Sequence, residues 1–140
     1  VHIKYLVHLL GDMHCPTHVY YYPDNMTLGK FPVKLHGVET NYHKIWDGQL
    51  LDSRHKFWGF QDYRHALDNY TDEEIARMTE GTPVEWFEES ARRCREIYDW
   101  VQPGDELGQE FYNAHAPFAE YQLVLSGYRL AKVLNALFDR

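Results

Sequence analysis

Apolar side chains recur every three or four residues through most of this chain of 140 residues. That spacing puts them on one face of a helix and is typical of amphipathic helices that pack on a core. The first such segment covers residues 2–13 and the last covers residues 110–138. The pattern predicts an all-α fold, and the absence of repeats and interdomain linkers predicts a single domain over residues 1–140.

Local signals predict where several helices begin and end. Pro16 ends the first helix, because proline disfavours α-helical geometry in the residue before it. Thr71 with Glu74, and Thr82 with Glu85, match the capping-box pattern that starts a helix. These signals predict two further helices in the second half of the chain.

One long irregular loop separates the first two predicted helices. Turn-forming residues are spread through residues 19–40, and the stretch 33–35 suits one strand of a small hairpin. A second helix is predicted from residue 41, and a short aromatic-rich helix within residues 56–69. We expect the aromatic side chains of that short segment to lie in the core: Phe57, Trp58, Phe60 and Tyr63.

The charge balance limits the partners that this chain can bind. It has 14 Lys and Arg residues against 21 Asp and Glu residues, a formal net charge of −7. Capture of duplex DNA by charge alone needs a basic face, so this balance argues against it, although metal ions can bring positive charge to a phosphate substrate. The mean hydropathy of −0.58, with no apolar run of about 18 residues, predicts no membrane span.

Histidine is concentrated in the first half, with eight of nine in residues 1–65. His8 and Asp12 are four residues apart on a predicted helix, and so are His43 and Asp47, while His18 follows the proline stop. Imidazole and carboxylate are ligands that zinc accepts, so these five residues are candidate metal ligands. The alternative for each pair is a surface salt bridge.

The other histidines have a weaker case as ligands. His14 lies two residues after Asp12 and is a candidate for orienting the metal ligands. Structural or exposed positions are expected for the rest: His36, His55, His65 and His115.

Two motifs carry a resemblance to a known family. Residues 8–19, HLLGDMHCPTHV, resemble the HxxGDxHQPLHV signature of the S1/P1-type nucleases, which are zinc-dependent single-strand nucleases and 3′-nucleotidases. Residues 40–47, TNYHKIWD, are similar to the TNLHxxWD signature of the same family. Residues 86–90 are similar to its WxxES motif and residues 127–135 to its GxRLAxxLN helix. The matches follow family order over nearly the whole chain.

The resemblance implies a mostly helical fold that holds up to three zinc ions. His8 and Asp12 would bind a buried zinc pair, with Asp12 bridging two ions as the candidate catalytic residue; no separate general base is identified. His18, His43 and Asp47 would hold the third ion. The implied reaction is attack of a metal-bound hydroxide on phosphorus in single-stranded DNA, RNA or 3′-nucleotides, giving 5′-phosphate products.

The resemblance also implies that this chain is part of a larger unit. Family members have further zinc ligands in an N-terminal part that has no counterpart here, so we expect the C-terminal half to two-thirds of a nuclease domain, with an incomplete site. A secreted or periplasmic location is implied as well. Cys15 stands where the family usually has Gln.

Several alternatives stay open at this level. A zinc-dependent phospholipase C shares the fold class, although its last ligand is typically Glu, so Asp47 favours the nuclease. A non-catalytic, metal-stabilised binding module is the alternative of another class. Cys15 and Cys94 either pair or stay free. The tyrosines at 20–22 either stack on bases or pack within the loop.

Overall fold

Helices form most of the protein, as the spacing of apolar residues predicts. The computed structural model describes residues 3–19 and 29–138. The α-helices are α1 (Ile3–Asp12), α2 (Tyr42–Lys44), α3 (Leu50–His55), α4 (Phe60–Leu67), α5 (Asp72–Met78), α6 (Pro83–Arg95) and α7 (Gln109–Phe138). A π-helical stretch, Ile45–Gln49, joins α2 to α3, and a 3-10 helix, Glu96–Asp99, extends α6. The mainly helical class is confirmed.

Both predicted capping boxes are present. At the start of α6, the Thr82 backbone N–H donates to the Glu85 carboxylate at 2.8 Å, and the Thr82 hydroxyl accepts from the Glu85 backbone N–H at 3.4 Å. Thr71 and Glu74 make the same pair of bonds at the start of α5. Hydrogen bonds from these threonines lower the pKa of both glutamates. Residues three apart decide these helix starts, so the sequence was sufficient to find them.

The irregular loop does contain a hairpin, and the hairpin belongs to a small sheet. Strands β1 (Pro32–Leu35) and β2 (Val38–Asn41) pair antiparallel. His36 and Gly37 connect them with φ values of 49° and 79°, the positive pair that a type I′ turn needs. Strand β3 (Glu106–Leu107) adds parallel to β1, so the sheet order within the described residues is β2-β1-β3. This third strand was not predicted, because its pairing joins segments about 70 residues apart.

The core lies between the sheet, the helical stretch after β2, and the first half of α7. Tyr42, Ile45 and Leu50 bury one face of that stretch almost completely. They pack with side chains from the sheet and from α7: Val33, Leu35, Leu107, Tyr112 and Ala116. Since Tyr42 and Ile45 flank His43, this packing also holds one predicted ligand in place.

The aromatic side chains of residues 57–63 do not take their expected place in the core. Phe57 and Phe60 are 91% and 75% exposed. Trp58 instead stacks on the ring of His55 with centroids 3.6 Å apart, and Tyr63 meets the same ring edge-on. The prediction was wrong because aromatic content indicates apolar surface but does not say which elements cover it.

No helix among the described residues is a candidate membrane span. None of these helices combines the length and the apolar character that crossing a bilayer requires.

Candidate metal centre

The turn after α1 brings two of the predicted ligands together. The Cys15 backbone N–H donates to Asp12 O and the His18 N–H donates to Cys15 O, each at 3.0 Å. These bonds fold residues 12–18 back on themselves before the chain continues. As a result His18 Nδ1 lies 2.5 Å from Asp12 Oδ1.

The second motif supplies two more ligands from the helical stretch after β2. Asn41 caps α2 by accepting from the Lys44 N–H at 3.0 Å, which directs the chain into the helix. His43 lies on α2 and Asp47 on the π-helical stretch, with His43 Nε2 3.5 Å from Asp47 Oδ2. Within that stretch the Leu50 N–H donates to Ile45 O five residues earlier, and the backbone kinks at Gly48, where φ is 161° and not helical.

The two motifs meet through His18. Its Nε2 lies 2.8 Å from Asp47 Oδ1, and its ring stacks on that of His43 with centroids 5.1 Å apart. Four of the five predicted ligands therefore converge. We call this group the metal cluster: Asp12, His18, His43 and Asp47.

His8, the fifth predicted ligand, is not brought into the metal cluster by the described contacts. It lies one helical turn before Asp12 on α1 and is exposed. Within residues 3–19 and 29–138, it has no hydrogen bond or ion pair with the other four candidates. Its assignment as a ligand stays a prediction, and the tyrosines at 20–22 lie outside the described residues.

The structure adds one residue that sequence reasoning did not count as a ligand. Cys15 Sγ lies 4.0 Å from Asp47 Oδ1 and 3.8 Å from the Trp46 carbonyl oxygen. One ligand atom each from Cys15, His18 and Asp47 lies within 4.8 Å of the other two. The sequence signal that could have indicated Cys15 as a ligand is its position three residues before His18. Cys15 and Cys94 are both free thiols, and burial raises the pKa of each.

The donor set of the metal cluster fits a metal ion. Two carboxylates face one imidazole, and their side chains are about two-fifths exposed. This arrangement concentrates negative charge and offers nitrogen and oxygen lone pairs, which a dication of the zinc type accepts. The cluster is therefore chemically suited to hold the cation that the sequence predicts.

A second polar group lies on the buried side of the same turn. His14 donates from Nδ1 to Leu10 O at 2.7 Å, which leaves Nε2 to accept from Arg129 Nη1 at 3.0 Å. Arg129 also donates to the Glu89 carboxylate and, through Nε, to Met78 O. We call His14, Glu89 and Arg129 the arginine cluster. Burial and the nearby guanidinium lower the pKa of His14, in agreement with a neutral ring.

Comparison with known proteins supports the reading of these motifs. A family model described as S1/P1 Nuclease matches residues 1–139. The chain belongs to the S1/P1 nuclease family. Membership in this family suggests that the protein uses a metal, which agrees with the donor set of the metal cluster.

Curated relatives give the same assignment. Endonuclease 4 of Arabidopsis thaliana is 26% identical over 98% of this chain and 50% of its own length. Endonuclease 2 of the same plant is 27% identical over 97% of this chain and 51% of its own. Nuclease S1 of Aspergillus oryzae is 26% identical over 96% of this chain and 53% of its own length. The chain thus spans about half the length of these relatives.

The four S1/P1 nuclease motifs divide between the two clusters. The motifs at residues 8–19 and 40–47 supply the metal cluster. The motifs at residues 86–90 and 127–135 supply Glu89 and Arg129 of the arginine cluster. His14 lies in the first motif but bonds to Arg129 of the arginine cluster. Among the described contacts it therefore positions the turn and does not contact a candidate metal ligand.

Proposed function

We propose that this chain is part of a zinc-dependent phosphodiesterase that hydrolyses single-stranded DNA or RNA, and 3′-nucleotides, to 5′-phosphate products. The proposal rests on one observation above all. His18 joins the two motifs, because one of its ring nitrogens lies 2.5 Å from Asp12 of its own motif and the other lies 2.8 Å from Asp47 of the second motif, 29 positions away. A surface salt bridge would need one pair, whereas here two carboxylates and two imidazoles converge.

The metal ions are expected at this cluster because the cluster needs a cation to bind phosphate. Its two carboxylates would repel a polyanion. Arg129, the nearest motif arginine, is 3% exposed and already bonded to Glu89, so it cannot replace a metal. Zinc would supply positive charge toward the phosphate and a nucleophile from water at neutral pH.

The chain's own residues prepare the site for that chemistry. Asp12 contacts one ring nitrogen of His18 and Asp47 contacts the other, and these two contacts orient the His18 ring. The His18 ring also stacks on that of His43, whose Nε2 lies 3.5 Å from the other carboxylate oxygen of Asp47. We propose Asp12 as the bridging ligand and His8 as a ligand that completes the site, as the resemblance implies.

We also propose that a longer domain completes the site. The chain spans about half of its curated relatives, and one exposed cluster offers ligands for fewer than three ions. The remaining ligands would come from a segment outside these 140 residues. Activity of this segment alone is therefore expected to be low.

The decisive experiment uses the full-length protein, stripped of metal with a chelator and then reloaded with zinc. We expect zinc-dependent hydrolysis of single-stranded DNA, RNA and 3′-AMP, with 5′-phosphate ends on the polymer products. Hydrolysis of phosphatidylcholine instead would favour the phospholipase alternative. Zinc binding without hydrolysis of any of these substrates would contradict the enzyme proposal and favour the alternative of a non-catalytic binding module.

Variants connect that activity to the metal cluster. Asp47→Ala or His43→Ala should lose one zinc by elemental analysis together with activity. Asp52→Ala is the matched control, because Asp52 is an exposed carboxylate on α3 that belongs to neither cluster. Unchanged zinc stoichiometry in Asp47→Ala and His43→Ala would remove both residues from the ligand set.

A secreted or periplasmic location is proposed as well, and it follows from the family resemblance. Fractionation of producing cells, with activity measured in each fraction, tests it. Activity confined to the cytoplasmic fraction would contradict this proposal and leave the reaction unaffected.

A further inference from the structure

We propose that Cys15 is a further ligand of the ion held by His18, His43 and Asp47, so that this ion is a thiophilic metal such as zinc or cadmium. The inference rests on the proposed function, because it takes a metal ion at the metal cluster as given. It goes further by adding a sulfur ligand that the predicted set of histidines and aspartates lacks.

The spacing of the three side chains is close to what one ion requires. Zinc lies about 2.3 Å from a thiolate sulfur and about 2.1 Å from a carboxylate oxygen, so two such tetrahedral ligands are about 3.6 Å apart. Cys15 Sγ lies 4.0 Å from Asp47 Oδ1. His18 offers a nitrogen within 4.8 Å of both other ligand atoms. The observed separation of Cys15 Sγ and Asp47 Oδ1 is about 0.4 Å longer than that tetrahedral spacing.

The backbone holds the thiol at this position. The amide of Cys15 is bonded to Asp12 O, and its carbonyl accepts from the His18 N–H. Pro16 follows directly and restricts the backbone conformation of Cys15. Cys15 is thus held within the turn that carries two of the ligands, so little chain entropy would be lost on binding.

The present contacts of the thiol are weak enough to exchange. Thr17 Oγ1 and the Trp46 carbonyl oxygen each lie 3.8 Å from the thiol, which the Thr17 backbone also contacts. A thiol is a weak hydrogen-bond donor, and both distances are long. Metal binding would displace the thiol proton, because the thiolate is the form that ligates.

A sulfur ligand changes which metal the site prefers. Thiolate is a soft donor that favours zinc and cadmium, whereas carboxylate and water suit magnesium and calcium. The metal cluster alone offers two imidazoles and two carboxylates. Cys15 would therefore shift the preference toward thiophilic ions and away from magnesium.

Cobalt spectroscopy tests the proposal without using activity. Metal-free full-length protein is titrated with Co²⁺, and three forms are compared: wild type, Cys15→Ser and Cys94→Ser. We expect wild type to show visible d–d bands and a near-ultraviolet thiolate-to-cobalt charge-transfer band. Cys15→Ser should lose the charge-transfer band and keep the d–d bands. Cys94 is 0% exposed and Cys94→Ser should keep both, as the matched control.

Affinity for cadmium gives a second readout. Loss of a direct ligand should cost at least the ~10-fold in metal affinity that removal of a supporting contact typically costs. We expect Cys15→Ser to lose this much for Cd²⁺ and Cys94→Ser to be unchanged. Circular dichroism of the metal-free variants shows that each is folded.

The outcomes separate this inference from the proposed function. Visible d–d bands without a charge-transfer band in wild type would overturn the role of Cys15 and leave the histidine and aspartate site in place. A charge-transfer band that survives Cys15→Ser would also overturn it. Absence of any cobalt spectrum would overturn both proposals.

A chemical protection experiment keeps the inference testable if Cys15→Ser fails to fold. Wild-type protein is alkylated with and without zinc, and the modified peptides are identified by mass spectrometry. We expect zinc to protect Cys15 from alkylation. Equal modification of Cys15 in both samples would overturn the inference.

Discussion

The metal cluster and the arginine cluster lie on opposite sides of the same turn, and they handle charge in opposite ways. In the arginine cluster, the buried Arg129 pairs with the partly exposed Glu89, and the neutral ring of buried His14 accepts a further hydrogen bond from Arg129. The metal cluster is partly exposed and unmatched, with two carboxylates around one imidazole. Buried charges must be paired within the protein, because their desolvation is costly. Exposed carboxylates are solvated by water and can remain unpaired until a cation binds.

This contrast separates anchoring from binding. The arginine cluster connects the turn after α1 to α6 and α7, which are distant in sequence. Gln122 of α7 adds a bond from its amide to His14 O at 3.1 Å. The contacts of His18 with Asp12 and Asp47 instead join the turn after α1 to the π-helical stretch. The predictions below test whether the two groups can be disturbed separately.

The largest expected effect is on stability, from Arg129→Met. Removing Arg129 leaves the His14 ring without its donor and leaves Glu89 with Arg93 as its remaining cationic partner, and losing one partner of a buried ion pair costs about 3 kcal/mol. Urea unfolding of the metal-free protein measures the change. Arg93→Met is the control, because Arg93 also pairs with Glu89, at 2.9 Å, but its side chain is 40% exposed, so its loss should cost less than about 1 kcal/mol. Equal costs for both variants would contradict an anchoring role.

The next effect is on metal-dependent stability, from Asp47→Asn. In the metal-free protein the change should cost at most about 1 kcal/mol, because the carboxylate is exposed. Zinc at 100 times its dissociation constant should stabilise wild type by about 2.7 kcal/mol and the variant by much less. Unfolding with and without zinc measures both. A variant that zinc still stabilises fully would show that Asp47 is not a ligand.

A smaller effect is expected where Gly29 packs on the scaffold of the metal cluster. Gly29 has φ of +73°, its carbonyl accepts from the His43 N–H, and an added Cβ would lie 3.3 Å from Thr17 Cγ2. Gly29→Ala should cost about 2 kcal/mol, from backbone strain and crowding together. Gly37 has φ of +79° and open space, so Gly37→Ala should cost about 1 kcal/mol.

Thermal unfolding of the two alanine variants in parallel measures the difference. If Gly37→Ala destabilised the protein as much as Gly29→Ala, crowding against Thr17 in the turn after α1 would not contribute to the cost of Gly29→Ala. Zinc affinity should fall in Gly29→Ala alone, since only this glycine contacts the backbone of a ligand residue.

The smallest effect concerns thiol chemistry and leaves stability unchanged. Burial raises the pKa of Cys94 to about 12, so at pH 8 only about one thiol in ten thousand is ionised. Native protein should therefore show no reaction of Cys94 with a thiol reagent, and the reaction should appear on unfolding in urea. Cys15 is partly exposed and should react first in metal-free protein. Rapid reaction of Cys94 in the native state would contradict its buried position.

Features that depend on neighbours in sequence were predictable. The capping boxes at Thr71 and Thr82 and the His43–Asp47 spacing are set within one helical turn, where backbone geometry is uniform. The hairpin within residues 19–40 followed from turn residues beside an apolar stretch. The family motifs extended this reach, because they related separate segments to one site.

Features that depend on which surfaces meet were not predictable. Strand β3 joins β1 through a parallel pairing, and His14 meets Arg129 across 115 positions. Phe57 and Phe60 are apolar, yet no described element covers them. The approach of Cys15 to Asp47 depends on how the turn after α1 packs on the π-helical stretch.

Residue spacing alone therefore predicted the helices and two candidate ligand pairs, and the sequence motifs carried the resemblance to the family. Only the tertiary structure decided that His18 joins the pairs, that Cys15 belongs beside them, and that His14 faces the other way. The physical reason is that helix periodicity and capping are local, whereas a metal site and a buried ion pair exist only once distant segments have been brought into contact.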